Sequence, residues 1–349
     1  FDPRFAEEVL RKGEADFVAL GRALFVDPEW SNKAKEGRFE DIKPCVYCLN
    51  CFNFTAHLDI LASGGGITCA VNPGVLREQQ FVPIPTKNPK KVMVVGGGPA
   101  GMEAACVLAE RGHNVSLYEK DDKLGGQWYV ASLQVQKKAD YTRLLEYQKR
   151  GLKKNGVEVH LNTLVDPEMV RQLKPDVVIL ATGATPDNID IPGVDGTHVV
   201  QANDVILGTV SVGKRVIVIG GRYLGMEIAD QLASEGKKVT LVTRRALGRD
   251  VERNIYLTLR NRLLEKGVYL FPHTPVVEIR EHGIYVVFEN DLVFMGADTI
   301  ILAVGVKPED GLVKMLKGIE ADVYSIGDCV KPRDLLTAMR EGAEIGRQI

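Results

Sequence analysis

The sequence predicts an α/β protein: two nested Rossmann-like dinucleotide-binding folds, preceded by a βα step and a cysteine loop. Three observations predict it. KVMVVGGGPAGMEAACVLAERGHNVSLYEK (91–120) aligns without a gap with RVIVIGGRYLGMEIADQLASEGKKVTLVTR (215–244), at a constant offset of 124 positions. Each copy reads as an apolar strand, a glycine turn, an amphipathic helix and a second strand. A later pair, VVILATG (177–183) and TIILAVG (299–305), closes the two copies in the same way, so one fold is inserted in the other.

The bulk properties suit such a protein. The chain has 349 residues, 45% hydrophobic and 26% charged, enough for two or more domains with their own cores. Its net charge is −2 and its apolar runs end at a glycine after a strand's length, far short of the ~20 residues of a membrane span. Neither a membrane segment nor a basic face for nucleic acid is expected. The opening FDPRFAEEVLRKGEADF lacks an initiator Met and carries charges throughout, unlike a targeting peptide. A piece of a longer, cytoplasmic chain is expected.

Taken in order, residues 1–40 read as a helix (PRFAEEVLRKG), a buried strand (DFVALG) and a helix opened by DPEW, one βα step of a larger sheet or barrel. Residues 41–89 hold four cysteines, a GGG turn and the Pro-rich VPIPTKNPKK, the composition of a cofactor loop leading to a boundary near Lys90. Residues 90–212 and 308–349 then form the first fold, and 213–307 the second.

CVYCLNC places Cys45, Cys48 and Cys51 at C-x2-C-x2-C, with Cys69 after a gap of seventeen residues. Three thiolates on one loop with a distant fourth suit a [4Fe–4S] cluster, whereas structural zinc more often takes two separated C-x2-C knuckles. Zinc is the alternative. Cys106 on the first nucleotide helix and Cys329 beside Asp328 read as packing residues.

In the first copy Gly96 makes the tight turn, Gly98 lets the backbone approach a pyrophosphate, and Gly101 lets helix meet strand. The helix opened by Pro99 and Ala100 offers free N–H groups to phosphate. Glu119, followed by Lys120, ends the second strand, where a carboxylate accepts from ribose hydroxyls. LGGQW (Gly126, Gln127), LATG (Ala181, Thr182, Gly183) and YSIGD (Gly327, Asp328) add turns at strand ends. Asp328 stands where a carboxylate can bind the polyol of a flavin, or where it is a helix cap before PRDLL.

The second copy keeps Gly220, Gly225 and Gly305 but has Arg222 at the middle glycine, and Thr243-Arg244-Arg245 where the first has Glu119. Losing the carboxylate and gaining two cations suits the 2′-phosphate of NADPH over NADH; a solvated basic turn is the alternative. Arg222 is expected to alter binding by pairing with phosphate from one side, or to mark a fold kept as scaffold.

Together ADFVALGRALFVDPEW, the cysteine loop ending in CAVNP, GGGPAGMEAA with LGGQ, and YSIGDCVKPRDLLTAMREGAEIG resemble the multidomain NADH:flavin oxidoreductases of the old yellow enzyme group, over essentially the whole chain. The resemblance implies that residues 1–40 end an FMN-binding (β/α)8 barrel, with Gly21 and Arg22 at the FMN phosphate, and that the catalytic barrel residues lie upstream of Phe1. It also implies FAD in the first fold, NADPH or NADH in the second, and electrons passing through the cluster to FMN and a small molecule with an activated C=C bond. Expected partners are that substrate, the missing barrel and, in a homo-oligomer, a second copy. Two further readings stand beside it: an amine dehydrogenase feeding a protein acceptor with ADP in the first fold, and a non-catalytic nucleotide-binding scaffold. Two departures from the family are the long gap before Cys69, implying an extra loop around TAHLDILASGGG, and Arg222 itself.

Overall fold

A computed structural model describes residues 2–55, 66–135 and 137–349. Most of the expected extra loop falls on 56–65, outside the described residues. The chain forms two compact units, one of 1–132, 136–184 and 308–349, the other of 133–135 and 185–307. In chain order the strands of the first half are β1 (Lys91–Val95), β2 (Asn114–Tyr118), β3 (Glu158–His160), β4 (Val177–Leu180), β5 (Ala184–Pro186), β6 (Val199–Gln201), β7 (Arg215–Ile219) and β8 (Lys238–Val242). They are followed by β9 (Tyr269–Phe271), β10 (Val276–Arg280), β11 (Gly283–Phe288), β12 (Asp291–Gly296), β13 (Thr299–Leu302), β14 (Val306–Pro308) and β15 (Asp322–Ser325).

In the first unit β15-β4-β1-β2-β3 form a parallel five-stranded sheet. Because side chains alternate along a strand, β1 feeds two cores. Val92 and Val94 face the helix Pro99–Glu110, with Met102 and Leu108, while Met93 and Val95 face Val170, Leu312 and Leu316. Each aliphatic side chain buried this completely contributes about 1.5–3 kcal/mol. The helix Leu335–Gln348, capped by Asp334 on the Thr337 N–H at 2.9 Å, covers Pro99–Glu110. Gly342 and Gly346 permit that approach, since a Cβ on Gly342 would stand 2.5 Å from the Ala100 carbonyl oxygen.

The second unit repeats the plan as β6-β13-β7-β8-β9. Even the register repeats, Lys91 opposite Asn114 in one copy and Arg215 opposite Lys238 in the other. One face of this sheet packs on the helix Tyr223–Ser234, and the other on the antiparallel sheet β10-β11-β12 through Ile279, Ile284 and Val286.

Two expectations are corrected. DFVALG is not a strand: Phe17 is 90% exposed, and a short helix, Arg22–Val26, follows. An isolated segment has no neighbouring ladder among the described residues to satisfy its backbone, and apolar content alone does not supply one. Residues 185–212, expected in the first fold, belong to the second compact unit, because β6 takes the sheet edge beside β13 with Ile300 opposite Val199.

The glycines of each turn serve the backbone. Gly96 has φ +110 and Gly220 φ +125, and a Cβ on either would lie 2.2 Å from the carbonyl oxygen of Ala181 or Ala303. Gly101 and Gly225 lie so close to the carbonyls of Gly96 and Gly220 that a Cβ would fall 2.0 and 1.7 Å away. At Gly98 φ is −74 and a Cβ would meet nothing within 4 Å. Urea unfolding is expected to show Gly101→Ala destabilised by about 2–4 kcal/mol and Gly98→Ala within about 0.5 kcal/mol of wild type.

Candidate cofactor sites

The cysteine loop is anchored from the N-terminal segment. Asp27, 3% exposed, accepts from the Lys43 N–H at 2.8 Å and the Glu29 N–H at 3.1 Å, and pairs with Lys33 at 2.6 Å. On the far side Asn72 donates to the Phe25 carbonyl at 2.8 Å and accepts from the Gly74 N–H at 3.1 Å. Between these anchors Tyr47 (φ 55) and Leu49 (φ 59) adopt left-handed backbone, uncommon for bulky residues and typical of functional turns.

Cys45, Cys48, Cys51 and Cys69 line one cavity, walled otherwise by Arg22, Phe25, Val26, Val46, Leu49 and Val71. None of the four is in a disulfide. Among the described residues no three His, Cys, Asp or Glu side chains are gathered around a point for a single metal ion. Burial pushes the Cys45, Cys48 and Cys69 thiols up, Cys48 to about 11, against the backbone N–H groups of Tyr47, Asn50 and Val71 that face their sulfurs. Four free thiols on one largely apolar cavity, with N–H groups aimed at sulfur, fit a thiolate-ligated iron–sulfur cluster, and loading one releases their protons. Arg22 lies over the Tyr47 ring at 5.0 Å.

Lys43 leads from this loop toward the first dinucleotide helix. Burial works to lower its pKa, but Tyr147, Glu103 and Asp27 raise it overall; burial likewise pushes the Glu103 carboxyl up, with Lys43 opposing. Trp128, stacked on Tyr141 at 4.0 Å, packs against both the cysteine core and the first-fold core. Gly21 is exposed at the start of the helix that carries Arg22.

In the first fold nearly all sequence-predicted residues meet at the carboxyl ends of β1, β4 and β15, at the switch point where open α/β sheets take ligands. Gly96 lies against Ala181, Gly126 against Gly98, and Gly327 against Ala100. Thr182 donates to the Glu309 carbonyl at 2.6 Å, and the Glu309 N–H donates to the Gly183 carbonyl at 3.0 Å. Glu119, 6% exposed, accepts from the Gly97 N–H at 2.7 Å and the Asp121 N–H at 3.0 Å, which leaves Lys120 exposed beside it. Gln127 donates to Asp328 at 3.2 Å, and Asp328 accepts from the Arg333 N–H at 2.9 Å. The helix cap is Asp334 and not Asp328; Asp328 accepts instead from the Arg333 N–H, ahead of the helix. Cys329 is buried and donates to the Leu180 and Ile326 carbonyls, and Cys106 sits against Gly151. Sequence reasoning missed Glu341, which accepts from the Gly327 N–H at 2.7 Å and pairs with Arg333 at 2.7 Å. It stands on the helix Leu335–Gln348, within YSIGDCVKPRDLLTAMREGAEIG, where nothing local marks Gly327 as its partner.

In the second fold Gly220, Gly225 and Gly305 hold the corresponding places. Arg244 and Arg245 are exposed just past β8, and Thr243 fills the Glu119 position with its methyl group against Gly221. Arg222 turns away from the backbone to pair with Asp250 at 2.6 Å. Asp250 was also missed; its signal is the Leu-Gly of LGRD (247–250), which repeats that of LGGQ.

A profile of the family described as pyridine nucleotide-disulphide oxidoreductase matches residues 90–342. The chain belongs to this family. It is 38% identical over 359 residues to an NADH oxidase of Thermoanaerobacter brockii, covering 100% of this chain and 54% of the relative. It is 30% identical over 352 residues to a cinnamate reductase of Clostridium sporogenes, covering 100% and 52%. A solved 2-naphthoyl-CoA reductase complex superposes with a TM-score of 0.93 at 31% identity, over 99% of this chain and 52% of that one. The chain thus spans about half the length of the curated relatives it matches. These matches agree with the resemblance to old yellow enzyme-like iron–sulfur flavoenzymes. As a pyridine nucleotide-disulphide oxidoreductase fold it carries no helix, among the described residues, long and apolar enough to cross a membrane.

The anchoring of the cysteine loop can be tested directly. Asp27→Ala leaves Lys33 and the Lys43 N–H without their partner and is expected to lower stability by about 2–3 kcal/mol, read from urea unfolding.

Proposed function

We propose that the chain is the electron-input part of an NAD(P)H-dependent iron–sulfur flavoenzyme that reduces an activated C=C bond of enoate, dienoyl-CoA or 3-oxo-Δ4-steroid type. The observation that carries this reading is the conjunction, in one compact unit, of a four-cysteine cavity and a dinucleotide loop faced by Gln127 and Asp328. Relatives named cinnamate reductase and 2-naphthoyl-CoA reductase support an unsaturated acyl substrate. When bound, the cofactors supply the redox chemistry in the order NAD(P)H, FAD, [4Fe–4S] and FMN, the one-electron cluster linking two flavins.

The protein's part is holding and positioning. Cys45, Cys48, Cys51 and Cys69 hold the cluster. Gly96, Gly98, Ala100 and Gly101 present backbone N–H groups to the FAD pyrophosphate, and Pro99, which has no N–H, opens the helix behind them. Glu119 fixes the loop through the Gly97 N–H while offering its edge to ribose; Gly126, Gln127, Thr182, Gly183, Gly327 and Asp328 line the flavin end. Gly220, Gly225, Gly305 and the Arg244–Arg245 pair take NADPH, and Gly21 and Arg22 close the FMN phosphate site of a barrel N-terminal to Phe1. The substrate-binding and proton-donating residues belong to that barrel.

In the full-length protein the expected spectrum has flavin bands and a broad shoulder, both bleached by NADPH without oxygen. Flavin untouched by NADPH and NADH but bleached by an amine would instead assign a dehydrogenase. Arg244→Ala/Arg245→Ala is expected to weaken NADPH binding about ten- to hundredfold and to leave NADH within about twofold, measured by titration calorimetry; equal losses for both nucleotides would remove the 2′-phosphate assignment.

A further inference from the structure

The internal repeat runs past its two strands. In the first fold the Gly125 N–H donates to the Gly97 carbonyl at 2.8 Å and Leu124 covers Gly97; in the second the Gly248 N–H donates to the Gly221 carbonyl at 2.7 Å and Leu247 covers Gly221. LGGQ (124–127) and LGRD (247–250) are therefore one closing turn, reached one residue sooner in the second copy. In that register Arg249 replaces Gly126 and Asp250 replaces Gln127, just as Arg222 replaces Gly98.

The replacements meet across the same gap. In the first fold Gly126 and Gly98 back onto each other, a Cβ on Gly126 standing 3.5 Å from the Gly98 Cα. In the second fold the Arg222 Nε donates to Asp250 Oδ2 at 2.6 Å, and Arg222 Nη1 lies 4.0 Å from where a Cβ on Gly305 would stand. The guanidinium thus reaches from the closing turn to the strand end beyond β13. It stands at the N-terminus of Tyr223–Ser234, where such folds take nucleotide phosphate.

We propose that Arg222 and Asp250 form an ion-pair latch across the second glycine loop that sets its affinity for dinucleotides. Asp250 occupies the guanidinium that a pyrophosphate engages, and nucleotide binding exchanges the protein's carboxylate for phosphate. This rests on the reading of the second fold as the NAD(P)H site. The side chains are 51% and 30% exposed, so water screens the pair and it opens readily. A guanidinium–phosphate contact adds a second parallel hydrogen bond. Arg222 thereby sets affinity for the shared diphosphate, separately from the Arg244–Arg245 pair that addresses the 2′-phosphate.

The test is a double-mutant cycle on the full-length protein, with Asp250→Asn, Arg222→Gly and the two combined, titrated with NADPH and with NADH. Asp250→Asn is expected to tighten both nucleotides about two- to fivefold, without changing their ratio, and to be silent once Arg222→Gly is present. A wild type that binds while Asp250→Asn leaves affinity unchanged or weaker overturns the latch and leaves the NAD(P)H site standing. Failure of wild type and of Arg222→Gly alike to bind either nucleotide overturns that site as well, and it shows without any change at Asp250.

Discussion

Each of the two folds is built around a contact in which backbone touches backbone. The glycine ending the first strand lies on a carbonyl of the neighbouring strand, Gly96 on Ala181 and Gly220 on Ala303, and the third glycine of the loop lies on the carbonyl of the first. No side chain fits between them. The helix that follows is therefore drawn against the sheet with its free N–H groups at the switch point, and its position determines where a diphosphate can sit. In the first unit the same helix is also pressed from outside, where Gly342 and Gly346 let the helix Leu335–Gln348 approach its backbone.

Because the backbone contacts leave so little freedom, the two copies differ in the side chains that look into the crevice. Glu119 takes the Gly97 N–H, whereas Thr243 at the matching place lays a methyl group on Gly221. Gln127 reaches Asp328, whereas Asp250 reaches Arg222. On the proposed reading, the Glu119 carboxylate and an open glycine at the loop suit one kind of ligand, and the exposed Arg244 and Arg245 past β8 with a paired Arg222 at the loop suit another.

The cysteine loop depends on polar anchors of a different kind. Asp27 and Asn72 tie its two ends to the N-terminal segment, and the turn between them accepts left-handed backbone at Tyr47 and Leu49. Held this way, the sulfurs face an apolar cavity, and burial raises the thiol pKa values of Cys45, Cys48 and Cys69, so that ligation of a cluster would be coupled to proton release.

The repeated strand–glycine–helix–strand units, their nesting and the clustering of four cysteines were determined by the sequence alone, because local periodicity and glycine geometry leave few alternatives. The same local signals misread DFVALG, whose apolar residues have no partner strand, and placed 185–212 in the wrong unit, since an edge strand is chosen by the sheet it completes. Only the tertiary structure decided the pairings made by residues far apart in sequence: Glu341 on Gly327, Asp27 under the cysteine loop, and Asp250 on Arg222. A charged side chain carries no mark of its partner until the chain brings the two within a few ångströms.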